Sequence, residues 1–159
     1  MTKEIAIEKL AALCSRSEQC EYDLTQKMFK WGLSSQDRKG VLDYLIENKF
    51  LDNSRFAKSY CHDKARFSYW GPYKIKIELL KRRVNSNDIK EALESIDPQI
   101  WKEGVLHCAE GKSKNLDLTG EEGYESRLKL FKYLISRGFP SIMAKKAVAL
   151  MKKRQECEE

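Results

Sequence analysis

Apolar residues recur along this chain at helical spacing, and the whole pattern repeats three times. Relative to Leu33, Leu24 lies nine residues earlier, Met28 five and Tyr22 eleven, while Val41, Leu42 and Leu45 lie eight, nine and twelve later. The same offsets from Val84 hold Ile75, Leu79, Tyr73, Ala92, Leu93 and Ile96. From Phe139 they hold Leu130, Leu134, Leu128, Ala147, Val148 and Met151. Positions four apart lie on one face of a helix, so each set describes two helices that return apolar faces to a shared core. No segment sustains the period-two alternation of a half-buried strand, and the fold class predicted is all-α.

The polar punctuation agrees with that reading. Gly32 and Gly138 stand where a helix ends in left-handed backbone, a conformation glycine adopts without a Cβ penalty. Arg83 holds this place in the middle set, a less comfortable choice. Ser35, Ser86 and Ser141 follow as N-cap candidates for the next helix. Asp52 can open another helix, and Gly71-Pro72 closes that one and starts its successor, because proline fits a first turn. A further helix precedes each pair: about Lys3–Cys14 with Ile5, Ala6, Leu10 and Leu13; about Asn53–Tyr69 with Phe56, Ala57 and Tyr60; and about Gln99–Gly111 with Trp101, Val105 and Leu106, after Pro98.

Nine helices are therefore expected, in three tandem three-helix, helix-turn-helix-like repeats covering residues 1–51, 52–98 and 99–159. The third carries an inserted polar loop at 112–123, and a frayed tail is expected over 155–159. A unit of about 50 residues buries too little surface to be very stable alone. Neighbouring repeats are thus expected to pack into an elongated, curved, solenoid-like body.

Charge and cysteine usage narrow the function classes. The chain of 159 residues has a formal net charge of +6. Residues 1–51 carry 8 basic and 8 acidic side chains, 52–99 carry 10 and 7, and 100–159 carry 12 and 9, so the excess sits in the last two thirds. Clustered Lys and Arg favour a polyanionic partner through phosphate neutralisation and counterion release. There is no apolar run of about 18 residues and no apolar block at the N-terminus, so neither a membrane span nor a secretory signal is expected, and the location predicted is cytoplasmic. The five cysteines are scattered and odd in number, which argues against a disulfide framework. Cys61-His62 and His107-Cys108 lack the paired short spacings of structural zinc sites.

Catalysis is not expected. Gly111-Lys112-Ser113 resembles the end of a phosphate loop, but His107 stands where the earlier glycine belongs. His62 and His107 each lie on a predicted helix, with no evident pairing to a nucleophile. No catalytic, metal or cofactor-binding residue is assigned.

One ordered set of residues carries a family resemblance. Tyr22-Asp23-Leu24, Lys27-Met28, Gly32-Leu33, Tyr44-Leu45, Phe50-Leu51-Asp52, Arg55-Phe56-Ala57, Gly71-Pro72, Ile75, Leu79, Ile89 and Ala92-Leu93 together resemble the RecX family of bacterial recombinase regulators, over roughly residues 5–155. The resemblance implies three tandem three-helix repeats and a partner, the RecA recombinase, above all its filament on single-stranded DNA. It also implies damping of recombinase and ATPase activity and, in some members, binding to DNA, single- or double-stranded. The chain departs from the family pattern at Cys20, where a serine cap is usual and Ser17 is the nearest substitute. It departs again at Asn53, where a second aspartate is frequent, and at Arg83, where glycine is usual.

With charge and resemblance taken together, two basic clusters are the candidate partner or DNA contacts: Lys74, Lys76, Lys81, Arg82 and Arg83 around the fifth helix, and Lys145, Lys146, Lys152, Lys153 and Arg154 on the last. Lys145 and Lys152 are seven apart, as are Lys146 and Lys153, so each pair shares a face. Tyr69-Trp70 reads either as an exposed aromatic anchor or as packing that fixes the turn at Gly71. The function expected is a non-enzymatic, monomeric regulator of the RecA filament. Two alternatives stand beside it: a helix-turn-helix DNA-binding protein, and a helical scaffold unrelated to RecA. The acidic starts of the third and sixth helices, with Asp37 and Asp88, speak against the first of these.

Overall fold

The computed structural model describes residues 1–158. Among them there is no strand, and nine α-helices follow in order: α1 Lys3–Arg16, α2 Glu21–Lys30, α3 Ser35–Glu47, α4 Asn53–Arg66, α5 Pro72–Lys81, α6 Ser86–Glu94, α7 Pro98–Ser113, α8 Tyr124–Ser136 and α9 Ser141–Cys157. A short 3-10 turn, Glu121–Gly123, precedes α8.

The three turns that anchor the apolar pattern share one backbone device. Leu33 N–H donates to Met28 O (3.1 Å), Val84 N–H to Leu79 O (3.2 Å) and Phe139 N–H to Leu134 O (3.3 Å). The residue before each donor has positive φ: Gly32 at 79°, Arg83 at 56° and Gly138 at 96°. This is the six-to-one closure of a helix C-terminus, which satisfies a carbonyl the helix itself leaves unpaired. The caps of the following helices lie one residue earlier than the sequence suggests. Ser34, not Ser35, accepts from Asp37 N–H (3.1 Å), and Asn85, not Ser86, accepts from Asp88 N–H (2.9 Å). Pro140 precedes Ser141 and offers no side-chain cap. The serines are already helical; the residue with extended backbone before them is the one able to reach back. Asp52 does cap α4, accepting from Ser54 and Arg55 N–H.

Tertiary packing gathers into two compact units. The first comprises Met1–Tyr60 and Leu79–Ala92; the second comprises Cys61–Glu78 and Leu93 onward. Residues of the middle helices are divided between them.

In the first unit α1 and α2 both pack on α3. Ala6, Leu10, Leu24, Met28, Leu33, Val41, Leu45 and Leu51 form its core. Each fully buried leucine contributes about 1.5–3 kcal/mol relative to exposure, and burial is what makes helices this short persist. Cys20 precedes α2 and makes no capping bond, and Ser17 does not replace it, since it closes α1 instead. The cap is supplied from a distance: Asn53 Oδ1 accepts from Glu21 N–H (3.0 Å). Asn53 thus serves the helix start that Cys20 leaves without a side-chain cap.

In the second unit α9 packs against both α7 and α8. Its core holds Val105, Cys108, Ala109, Leu118, Leu130, Leu134, Phe139, Ala144, Ala147 and Met151. Gly71 and Gly138 bring two backbones together here. Gly71 N–H donates to Arg137 O (2.7 Å) and Tyr73 N–H to Gly138 O (3.0 Å). A Cβ on Gly71 would lie 2.3 Å from the Gly138 carbonyl carbon, and one on Gly138 would lie 2.5 Å from the backbone nitrogen of Lys74. Glycine at 71 is thus required by close approach, a stronger demand than ending a helix.

The polar loop is shorter than the sequence suggests. α7 runs on through Lys112 and Ser113, and Glu121–Gly123 is a 3-10 turn, leaving residues 114–120 irregular. Nor does the tail fray at Gln155, because α9 continues to Cys157; Glu159 lies outside the described residues. Gln155 explains both differences. Its Oε1 accepts from Leu118 N–H (2.8 Å), and its Nε2 donates to Leu116 O (2.9 Å) and Ser113 O (3.3 Å). From the other side Arg127 Nη1 donates to Leu118 O (2.7 Å) and Gly120 O (2.6 Å), while the Leu118 side chain is fully buried. Gln155→Ala leaves part-buried backbone groups unpaired and is expected to cost about 1–3 kcal/mol. Amide hydrogen exchange at Leu118 should accelerate far more than at Leu24; equal rates with the parent chain would show that the clamp does not hold the loop.

Candidate partner-binding surfaces

The candidate cations divide between the two units. In the first, Lys81 is exposed and Arg82 is half-buried. Arg82 Nε lies 3.4 Å from Asp23 Oδ2, and its guanidinium sits 5.1 Å from the Tyr60 ring. Burial works against its charge, but Tyr60 and Asp23 more than offset this, and its pKa is raised above the ordinary arginine value. Arg83 lies 5.2 Å from the Tyr22 ring, a cation–π contact worth about 0.5–1 kcal/mol at an exposed site. That contact offsets part of the strain of its left-handed backbone. Arg82 and Arg83 therefore hold the end of α5 against α2, a structural task that local residue spacing does not reveal.

In the second unit Lys74 stands 4.6 Å from the Trp70 ring, with Lys64 4.8 Å from the same ring. Lys76 is exposed. Tyr69 is a packing residue: it has positive φ (55°), stacks on His107 at 3.7 Å, and its carbonyl accepts from Cys108 Sγ at 3.4 Å. The exposed aromatics nearby are Phe67 and Tyr73, at 75% and 57% exposure.

The last helix carries its charge on two sides. Lys145, Lys146, Lys153 and Arg154 are exposed, with Arg154 paired to Glu110 (3.0 Å) and Lys152 to Glu156 (3.7 Å). Lys145 and Lys152 border a groove of about 440 Å³ between α8 and α9. Lys146 borders a different groove, about 350 Å³, between α7 and α9, with Lys102 on its far side. Lys145 with Lys152 and Lys146 thus stand beside different apolar grooves. Sequence reasoning missed the floor of the first groove. The repeat offsets place Leu128 with its counterparts at a core position, yet it is 37% exposed, and Tyr73 at the same offset is exposed as well.

The Cys-His pairs point apart. Cys61 is buried while His62 is exposed, and Cys108 is buried while His107 is exposed. Burial pushes the Cys61 thiol up to about 12 and that of Cys20 up to about 11, and it raises Cys108 also. At neutral pH these are thiols, poor as nucleophiles and as metal ligands. No helix among the described residues is long and apolar enough to cross a membrane.

Fold and surfaces together define an all-helical protein of helix-turn-helix units with cationic outer faces. A family model described as "RecX, second three-helix domain" matches residues 52–93. The regulatory protein RecX of Clostridium botulinum (strain Eklund 17B / Type B) is 29% identical over 137 residues, covering 86% of this chain and 62% of the relative. That of Vibrio parahaemolyticus serotype O3:K6 is 29% identical over 132 residues, covering 83% and 81%. The crystal structure of RecX from Lactobacillus salivarius superposes with a TM-score of 0.78 at 16% identity, covering 94% of this chain and 96% of that one. The chain is thus similar to RecX proteins over most of its length, and its middle segment matches the RecX second-domain model. It spans 62% of the length of the Clostridium botulinum relative.

Proposed function

We propose that this chain is a cytoplasmic regulator that binds the RecA filament on single-stranded DNA and lowers its recombinase and ATPase activities, with no chemistry of its own. The observation that carries this reading is the match to proteins named regulatory protein RecX over 83–86% of the chain. The exposed cations of α9 support it, since they suit either the phosphates of the filament or an acidic surface of its protein. Lys76 and Lys74, with Lys81 on the first unit, are the further contacts proposed. Arg82 and Arg83 act in the same reading by fixing the helix that bears them. Three repeats, 1–51, 52–98 and 99–159, are its proposed divisions, and a monomer is its proposed state.

The experiment is ATP hydrolysis by a preformed RecA–single-stranded-DNA filament titrated with this protein, beside a variant with Lys145, Lys146, Lys152 and Lys153 changed to Ala. Inhibition well below one copy per RecA subunit, relieved several-fold in the variant, is the expected result. Unchanged hydrolysis together with no co-sedimentation would reject the reading. Sequence-dependent binding to duplexes would then favour a DNA reader, and no nucleic-acid binding at all a scaffold. Point variants are the better tool than truncation at residue 99, which would remove Arg137 and Gly138 and leave Gly71 and Tyr73 without their backbone partners.

A further inference from the structure

The groove between α8 and α9 is built from two matching helical stripes. α8 contributes Tyr124, Arg127, Leu128 and Phe131; α9 contributes Lys145, Val148, Ala149 and Lys152. Each set has the spacing i, i+3, i+4, i+7, the spacing with which one helix covers another. Leu130 and Leu134 of α8 and Ala144, Ala147 and Met151 of α9 are buried in the core, and Phe131 and Val148 are half-buried against it. Tyr124 is 64% exposed, and Leu128 and Ala149 are also on the surface. The floor is hydrocarbon and the rim is cationic.

We propose that this groove binds an acidic amphipathic helix of a protein partner. Its apolar anchors would sit on Leu128, Phe131, Val148 and Ala149, and its carboxylates against Lys145 and Lys152. The two lysines lie seven residues apart, about 10.5 Å along α9. Acidic residues at i and i+7 of a docked helix have the same separation. Charge selects the occupant. A second copy of this chain would bring its own lysine-rimmed groove against this one, on a molecule already carrying +6. Nucleic acid is a worse fit, because phosphates recur about every 3.4 Å along each strand of a duplex, and only hydrocarbon lies between the two lysines. Arg127 adds no open cation to that row, since its Nη1 is engaged by Leu118 O and Gly120 O. Docking would draw Lys152 away from Glu156, an exposed pair at 3.7 Å that is worth little. The inference goes beyond the filament reading and requires no recombinase.

The test is fluorescence anisotropy of the full chain with a labelled synthetic peptide of about 18 residues, leucines on one face and glutamates on the others. A peptide with the same leucines and lysines in place of the glutamates is the control, and an unlabelled oligothymidylate is the competitor. The acidic peptide is expected to bind and the basic one not. Lys145→Glu with Lys152→Glu should weaken binding by about tenfold or more, and Ala149→Glu should do the same by filling the floor with charge. Circular dichroism melting of both variants should match the parent, because the substituted side chains lie on the surface. No binding of the acidic peptide at about 100 μM, far weaker than specific peptide grooves, overturns the proposal. So does equal binding of the basic peptide, or binding that survives Ala149→Glu. Displacement of the peptide by oligothymidylate would assign the lysines to phosphate and overturn it too. Because no recombinase is present, failure here leaves the filament reading standing, and failure of the hydrolysis assay leaves the groove in place.

Discussion

Gly138→Ala is expected to lower stability by about 2–5 kcal/mol, a large share of what a small domain possesses. Two costs add. At φ 96° any Cβ carries the left-handed penalty of about 1–2 kcal/mol. The added carbon would also lie 2.5 Å from Lys74 Cβ and from Lys74 N, and 3.0 Å from Gly71 O, so backbone must move and overpacking adds about 1–3 kcal/mol. Gly32→Ala is the control. It occupies the equivalent turn at φ 79°, but nothing lies within 4 Å of its Cβ position. Only the conformational term applies there, about 1–2 kcal/mol. Urea unfolding of the two variants separates the effects: equal losses would mean that the close approach of Gly71 and Gly138 contributes nothing.

The second large effect is expected one residue on. Phe139→Ala should cost about 3–5 kcal/mol, the range for emptying a phenylalanine site in a core. Its side chain is 1% exposed and is packed among Leu134, Ala144 and Met151 of the second unit. The ring reaches α7 closely enough that a Cβ on Gly104 would touch it at 3.4 Å. Phe139→Leu keeps most of the apolar volume and should cost about 1 kcal/mol. If the alanine variant lost no more than the leucine one, the core would have to be closing over the vacated space, and the ring could not be the wedge between α7 and the turn.

These two neighbours show what could be read from the residues and what could not. The helix end at Gly138, the burial of Phe139 and the offsets around both follow from local spacing, because a helix's periodicity and its left-handed stop are properties of a few adjacent residues. The same holds for Asp52 as a cap. The cap one residue before Ser35 was missed because Ser34 and Ser35 are both competent, and only backbone geometry chooses between them. The demand on Gly71 comes from a backbone 67 positions away, which leaves no trace in nearby sequence. Gln155 falls in the stretch expected to fray and nothing in the pattern marks Arg127, yet each ends on main-chain groups of the 114–120 loop. At the surfaces, seven-residue spacing paired Lys145 with Lys152 correctly. It did not show that Lys146 faces another groove, nor that Leu128 lies at the edge of the core.

The uneven burial of the five thiols gives this protein a set of internal clocks. Cys157 is open to solvent near the end of α9, whereas Cys20 lies inside the first unit and Cys61 and Cys108 lie inside the second. A maleimide added to the native chain should modify Cys157 quickly, placing a dye on the helix that carries the lysines. Modification of the buried thiols must wait for the surrounding helices to part. Their labelling rates would therefore time the opening of each unit separately, without a single substitution in the sequence.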